Sequence, residues 1–98
     1  MVTTNLVVAE MQVLVMRGRG VAAGIDFIDS LYLDAAHEVV FVDRDLERTA
    51  VDLWMRRFDD QRLSIADAVS FEVMRSRRIR KVLTLNEHFT TAGFERVP

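Results

Sequence analysis

The stretch Asp60–Phe71, DQRLSIADAVSF, decides how the rest of this chain is interpreted, because it places one carboxylate, Asp67, in an otherwise apolar helix start. The spacing of its apolar residues predicts a helix that begins at Ser64 and continues through Arg78. Ser64 and Asp67 also have the spacing of a capping box, in which each side chain accepts a hydrogen bond from the backbone amide of the other residue. Asp67 is therefore either a helix cap or the acid of a functional site.

Strands and helices alternate on both sides of this stretch. The residue patterns predict strands at 1–4, 38–42, 81–85 and 94–97, and helices at 6–16, 21–33, 45–58 and 64–78. Such alternation is typical of an α/β protein with a small parallel sheet flanked by helices. Helix 6–16 is apolar nearly all round and strand 38–42 is rich in β-branched residues, so we expect both to be buried. In helix 64–78, Glu72 is expected to face outward.

Residues that favour helix ends stand at the predicted boundaries. Thr4 or Asn5 can cap the first helix, and Asp43 or Asp45 can cap the third. Gly20 follows two arginines and can adopt the left-handed conformation that ends a helix. These local signals support the predicted element boundaries.

Size and composition limit the classes of protein to which the chain can belong. Its 98 residues, 50% of them hydrophobic, fit a single domain over 1–98. A net charge of -2 excludes a global positive field, so any basic surface must be local. The lack of cysteine excludes disulfides and thiolate metal sites and is compatible with a reducing cytoplasm. Glu10 and Gln12 interrupt the apolar N-terminal stretch, which predicts neither a signal peptide nor a membrane span.

Two further polar residues are candidates for a site with Asp67. Glu10 is a second carboxylate in an apolar helix, and a buried carboxylate is costly unless it is paired or binds a metal. An arginine partner would explain Glu10 equally well. Asn86 follows a strand, where open α/β sheets collect their functional groups. His88 lies close to Asn86, but a structural hydrogen bond explains a single histidine better than metal binding or base catalysis does.

A basic run follows the predicted helix 64–78. It comprises Arg75, Arg77, Arg78, Arg80 and Lys81. These side chains could bind RNA phosphates or an acidic peptide. More often, such a run is a solvated helix end that complements the helix dipole.

Three segments resemble the PIN-domain ribonucleases, including the VapC toxins of bacterial toxin-antitoxin pairs. They are VTTNLVVAE, which ends at Glu10, LSxxDAVSF around Asp67, and LTxxxHFxxAGF from Leu83 to Phe94. Their order and spacing agree with the family, and the match runs nearly end to end. The resemblance implies a small parallel sheet flanked by helices and cleavage of RNA with Mg²⁺ or Mn²⁺.

The resemblance also implies a set of metal-binding residues at the carboxyl ends of strands. Glu10 and Asp67 match two of the family's acids. Asn86 stands where the family usually has an aspartate, which makes it a weakened ligand. Asp60 is a further candidate, although a loop cap explains it better. Oxygen ligands of this kind suit magnesium, which keeps several of its waters.

The sequence departs from the family's pattern at its N-terminus as well as at Asn86. Family members begin with a strand that carries the first metal-binding aspartate, whereas Met1 already lies in what resembles the second strand. We therefore expect a single PIN-like domain that is N-terminally incomplete, with its first strand missing. Because the loss of that strand leaves sheet edges to pair, we expect a homodimer or a poorly stable monomer.

Three hypotheses follow from these residues. The first is a cytoplasmic, metal-dependent endoribonuclease of the PIN type, in which Thr4 and Ser64 orient the site, RNA is the substrate and an antitoxin protein is a partner. The second is a non-catalytic PIN-like module that binds an antitoxin-like partner or RNA. The third is a small α/β domain whose basic run binds nucleic acid without cutting it.

Overall fold

Two compact units, Met1–Val42 and Asp43–Pro98, make up the chain. A computed structural model describes residues 2–83 and 92–97. In these residues the strands pair in parallel within two sheets, each of two strands. The predicted α/β class with parallel strands flanked by helices is confirmed.

The first unit contains two strands and two helices. The elements are β1 (Val2–Thr4), α1 (Asn5–Arg19), α2 (Val21–Leu33) and β2 (Glu38–Val40). β1 pairs with β2 in a register that places Val2 opposite Glu38 and Thr4 opposite Val40. The Oδ1 atom of Asn5 accepts a hydrogen bond of 2.8 Å from the backbone amide of Val42, so the start of α1 is attached to the chain just after β2.

Glycines set the angle and the closeness of the two helices of this unit. Gly20 separates α1 from α2 with a φ of 97°, a left-handed conformation that a side chain would disfavour. Gly24 of α2 is buried against α1, and a Cβ atom there would lie 3.0 Å from Nε2 of Gln12 and 3.1 Å from Cβ of Met16. The absence of a side chain at Gly24 therefore lets the two helices approach closely.

The second unit is built around a helix that is buried along most of its length. Its elements are α3 (Arg44–Ala50), a π-helical turn (Val51–Met55) that continues α3, α4 (Ile65–Ser76), β3 (Lys81–Leu83) and β4 (Glu95–Val97). The buried residues of α4 are Ala66, Ala68, Val69, Phe71, Glu72, Val73 and Met74. β3 pairs in parallel with β4, and Gly93 turns the chain before β4 with a φ of 99°.

An aromatic cluster surrounds Trp54, which the π-helical turn directs into the core. The centroid of its ring lies 5.2 Å from that of Phe71, 5.9 Å from that of Phe58 and 5.9 Å from that of Phe94. The turn arises where the amide of Arg56 bonds to the carbonyl of Val51, five residues earlier. The prediction that Trp54 belongs to the core is confirmed, since only 6% of its surface is exposed.

The expected outward position of Glu72 is wrong. Only 4% of Glu72 is exposed, and its Oε1 atom accepts hydrogen bonds from Nε1 of Trp54 at 3.2 Å and from Nε of Arg75 at 2.7 Å. A second bond of 2.6 Å joins Nη2 of Arg75 to Oε2. The bonds from Arg75 lower the pKa of Glu72 although burial opposes that shift. The indole and guanidinium donors therefore keep a charged side chain in the core.

The expected burial of the first helix and of strand 38–42 is also wrong. Val8 is the one buried residue of α1, whereas Leu14 is 62% exposed. Phe41, just after β2, is 66% exposed. The described part of the chain offers these apolar side chains too little surface to pack against. Within the same residues, no helix is long and apolar enough to cross a membrane.

We predict that Glu72→Gln lowers the free energy of unfolding near pH 7 by about 1–2 kcal/mol, because glutamine cannot hold Arg75 by charge. The guanidinium of Arg75 is half exposed, so solvent screening keeps this loss below that of a fully buried ion pair. The pKa of Glu72 lies below its ordinary value of 4.5. The wild-type advantage should therefore be complete above that pH and disappear as pH falls through the lowered pKa.

Urea denaturation near pH 7 and at about pH 3 measures this difference. Asp52→Asn is the matched control, because its exposed carboxylate also pairs with arginines, Arg48 and Arg56. Solvent screens that pair, so the control should change much less. A Glu72→Gln difference that does not shrink between pH 7 and about pH 3 would contradict the proposed charge dependence.

Candidate functional site

The N-terminus of α4 holds two of the predicted site residues together. Ser64 caps the helix in an extended conformation, and its Oγ atom accepts a hydrogen bond of 3.1 Å from the backbone amide of Asp67. The serine half of the predicted capping box is therefore confirmed. Asp67 lies in the first turn and is partly buried. The positive end of the helix dipole favours a carboxylate there.

The segment before α4 is a series of turns that ends in a strained residue. Arg62 has a φ of 53°, which is unusual for a residue other than glycine. Asp60 is exposed in the same segment, and its Oδ2 atom accepts a hydrogen bond of 3.1 Å from Nε2 of Gln61. This contact agrees with the interpretation of Asp60 as a loop residue, which was the alternative to metal binding.

Thr4 ends β1 and begins α1, as the residue pattern predicted. Its side chain accepts a hydrogen bond of 3.3 Å from the amide of Val7, and only 2% of the residue is exposed. This contact confirms Thr4 as the helix cap. Its proposed role in orienting a site stays a prediction.

Glu10 lies in α1, which belongs to the first unit, and it is exposed. The argument that a carboxylate in a buried apolar helix must be paired or bound to a metal is therefore wrong for this residue, because α1 leaves that face in solvent. Its match to the VTTNLVVAE segment is unaffected by this finding. Asn86 and His88 lie outside the described residues.

The donor chemistry of the predicted ligands suits a hard divalent cation. Carboxylate oxygens come from Asp67 and Glu10, and magnesium is commonly bound by one or two carboxylates while it keeps several waters. Within residues 2–83 and 92–97, no three histidine, aspartate or glutamate side chains form a group that could hold a metal ion. The oxygen donor set therefore fits magnesium or manganese better than zinc.

Two contacts that position these elements were not expected from the sequence. Asn5 bonds to the amide of Val42, 37 residues away, and Trp54 bonds to Glu72, 18 residues away. Both bonds join separate elements, so no local spacing could have identified them. A signal for the second pair existed, since a buried tryptophan usually finds an acceptor for its indole N–H.

The chain was compared with known protein families and with curated proteins. Residues 1–95 match the PIN domain. Curated proteins from two strains of Mycobacterium tuberculosis, CDC 1551 / Oshkosh and ATCC 25618 / H37Rv, are each 34% identical to this chain over 95 residues. Both are named 23S rRNA-specific endonuclease VapC20, and the match covers 97% of this chain and 71% of theirs.

The fold was also compared with solved structures. The crystal structure of Mycobacterium tuberculosis VapC20, described as a sarcin-ricin loop cleaving toxin, matches with a TM-score of 0.86 and 33% identity. The match covers 98% of this chain and 72% of that chain. Sequence and fold therefore agree on the same relative.

We predict that Ser64→Ala lowers the free energy of unfolding by about 1 kcal/mol, because the amide of Asp67 loses its acceptor. Ser64→Thr keeps the hydroxyl and should remain close to the wild type. Urea denaturation of the three proteins measures the difference. If Ser64→Ala were as stable as Ser64→Thr, the cap would not stabilise α4.

Proposed function

The chain belongs to the PIN-domain family, and on that basis we propose that it is a metal-dependent endoribonuclease of the VapC toxin type. The observation that carries this proposal is a family match from residue 1 to residue 95, together with 34% identity to a curated endonuclease over nearly the whole chain. The family and the fold class that the resemblance implied are confirmed.

Asp67 is the residue to which we assign the central metal-binding role. Its segment matches the family's LSxxDAVSF pattern, and its place in the first turn of α4 gives a partly buried carboxylate with a fixed backbone. Ser64 contributes by holding the amide of Asp67, which limits the positions that the carboxylate can adopt. Rigid support of this kind keeps a ligand in its productive geometry.

PIN-domain nucleases are generally metal-dependent, and we propose magnesium or manganese as the metal for this chain. Such an ion, when bound, neutralises charge that develops on the phosphate and lowers the pKa of a bound water. The protein's own contribution is the negative charge and the fixed position of its oxygen ligands.

The remaining predicted site residues enter this proposal on the resemblance. Glu10 is the second metal-binding acid, and Asn86 is a weaker, neutral oxygen ligand. Thr4 orients the site from the start of α1, where its hydroxyl is buried. Asp60 is an accessory ligand at most, because a loop contact already accounts for it.

RNA is the proposed substrate, and the relatives suggest its class. The curated relatives are named for 23S rRNA and the solved relative for the sarcin-ricin loop. We propose a structured ribosomal RNA as the substrate of this chain and one PIN-like domain over 1–98 as the unit that binds it. The bacterial cytoplasm is the proposed location, since ribosomal RNA is found there.

Exposed apolar side chains in the first unit support protein partners. Met11 and Leu14 lie on one face of α1, and Val21, Ile25 and Tyr32 are exposed on α2. Apolar surface of this kind often marks a protein interface. We propose that a second copy of the chain covers part of it, and that an antitoxin protein binds the toxin as is general for VapC-type pairs.

We predict that Asp67→Asn lowers metal-dependent cleavage of an RNA hairpin with the sarcin-ricin loop sequence by about 100-fold or more, because it removes the ligand's charge. Manganese titration by calorimetry should show weaker binding in the same variant. Asp45→Asn is the matched control, since it removes one exposed acid from the first turn of α3.

Equal loss of cleavage in both variants would contradict a specific role for Asp67. If the wild type failed to cleave but still bound the hairpin, the non-catalytic PIN-like module would replace the enzyme. Thermal unfolding of each protein shows whether a loss of activity reflects a loss of folding.

We predict that the wild type is a homodimer and that Leu14→Lys shifts it toward the monomer of 11.3 kDa, because a charge replaces an exposed apolar contact. Lysine at this position can pair with Glu10 one turn earlier, so α1 should stay folded. Light scattering after gel filtration measures the mass. The control Ser30→Lys adds the same charge on α2 and should remain dimeric. An unchanged mass of Leu14→Lys would exclude this face of α1 from the interface.

A further inference from the structure

Just after the end of α4, the chain turns at an arginine, Arg78, whose backbone conformation is unfavourable. The amide of Arg78 bonds to the carbonyl of Arg75 at 3.2 Å, and the amide of Ile79 bonds to the carbonyl of Met74 at 2.8 Å. These bonds reverse the chain at Arg78, which has a φ of 57°. Glycine is the residue that usually occupies such a position. An arginine there is strained, and strain of this kind is concentrated at functional sites.

The arginines of the basic run differ in the partners available to them. Arg75 bonds to both carboxylate oxygens of Glu72, so the charge of Arg75 is used within the core of the second unit. Arg78 and Arg80 are exposed, and neither forms an ion pair with any described residue. The amide of Glu95 bonds to the carbonyl of Arg80 at 2.7 Å, which fixes the backbone beside the arginine.

The helix dipole accounts for only part of this positive charge. Its effect falls off within the last turn of a helix, and Arg75 already lies in that turn of α4. Arg78 and Arg80 come after the helix ends at Ser76. Within the described residues, neither the helix dipole nor an ion pair accounts for these two charges.

The same helix carries Asp67 near its other end, which relates the two arginines to the proposed site. Ten residues separate Asp67 from Arg77, the first residue after α4, and this corresponds to about 15 Å along a helix. An RNA longer than this distance can therefore contact both ends of the helix, although the middle of α4 is buried. Guanidinium groups bind phosphate and carboxylate alike with two parallel hydrogen bonds, so the choice of RNA over an acidic peptide follows from the proposed substrate.

We propose that Arg78 and Arg80 form an RNA-binding surface that holds substrate phosphates beyond the C-terminal end of α4, the helix whose first turn carries Asp67. This surface is separate from the proposed metal-binding acids. An arginine side chain has no oxygen atom that could bind a cation, and it would instead contact the phosphates of the RNA backbone. The inference rests on the proposed function only in taking RNA as the substrate.

The test measures binding of the full chain to a fluorescein-labelled RNA hairpin in EDTA, where cleavage cannot proceed. Replacing Arg78 by Gly and Arg80 by Gln together should weaken binding by about tenfold or more at low salt. The slope of log K against log salt should become shallower by roughly 1 to 2, as expected for two lost phosphate contacts. The control for net charge replaces two exposed arginines of α3, Arg44 and Arg48, together by Gln.

Arg78→Gly alone separates binding from folding. Glycine relieves the left-handed strain, so thermal stability should be equal to or higher than that of the wild type while RNA affinity falls. A structural role for Arg78 would instead lower stability. This single variant therefore gives opposite results for the two explanations.

Several outcomes would contradict the proposed RNA-binding surface. They are unchanged affinity and salt slope in the double variant, an equal loss in the α3 control, a wild type that does not bind the hairpin, and, with fluorescein-labelled polyglutamate as a second probe, a double variant that loses polyglutamate binding but retains RNA binding. The last would assign the arginines to an acidic protein. If the wild type bound RNA through these arginines but did not cleave it with metal added, the proposed activity would fail and the surface would stand.

Discussion

The buried carboxylate of Glu72 is the constraint on which the second unit depends. A charged side chain can remain in a core only when donors replace the water it has lost. Trp54 supplies one donor from the π-helical turn, and Arg75 supplies two from the next turn of α4. Because these donors lie on different elements, satisfying Glu72 sets the rotation of α4 against the segment that follows α3.

This orientation of α4 determines what its two ends can do. With Phe71 in the middle of the helix packed against Trp54 and Phe94, the first turn presents Ser64 and Asp67. The other end presents arginines, of which Arg75 bonds to the buried Glu72. One helix therefore carries a carboxylate that suits a cation and a basic terminus that suits phosphate, which are the two requirements of a metal-dependent nuclease.

The first unit has well-defined hydrogen bonds at its helix start and after β2, but many of its apolar side chains are exposed. Thr4 caps α1, Asn5 anchors the chain after β2, and Gly24 lets the helices approach, so the hydrogen bonds and the helix pair are well defined. Several large apolar residues are still exposed, among them Leu14 and Phe41. A two-stranded sheet is marginal by itself. Contacts with other protein surface would add the burial that this unit lacks.

The sequence by itself determined the order of the elements, most of their boundaries, the parallel pairing and the family. Helix caps at Thr4 and Ser64, the glycine at position 20 and the helical spacing of apolar residues act over a few positions, so they can be recognised locally. One of the two hydrogen bonds of the expected capping box, from the amide of Asp67 to Ser64, was found for the same reason.

Only the tertiary structure decided which charged residues are buried. The sequence suggested that Glu10 lies inside and Glu72 outside, and both expectations were wrong. Burial depends on which distant elements reach a given face, and a carboxylate enters the core only where donors from those elements meet it. Asp67 was expected to be a cap or a site acid, and the structure makes it a residue whose backbone is held by the cap while its carboxylate stands at the end of a buried helix.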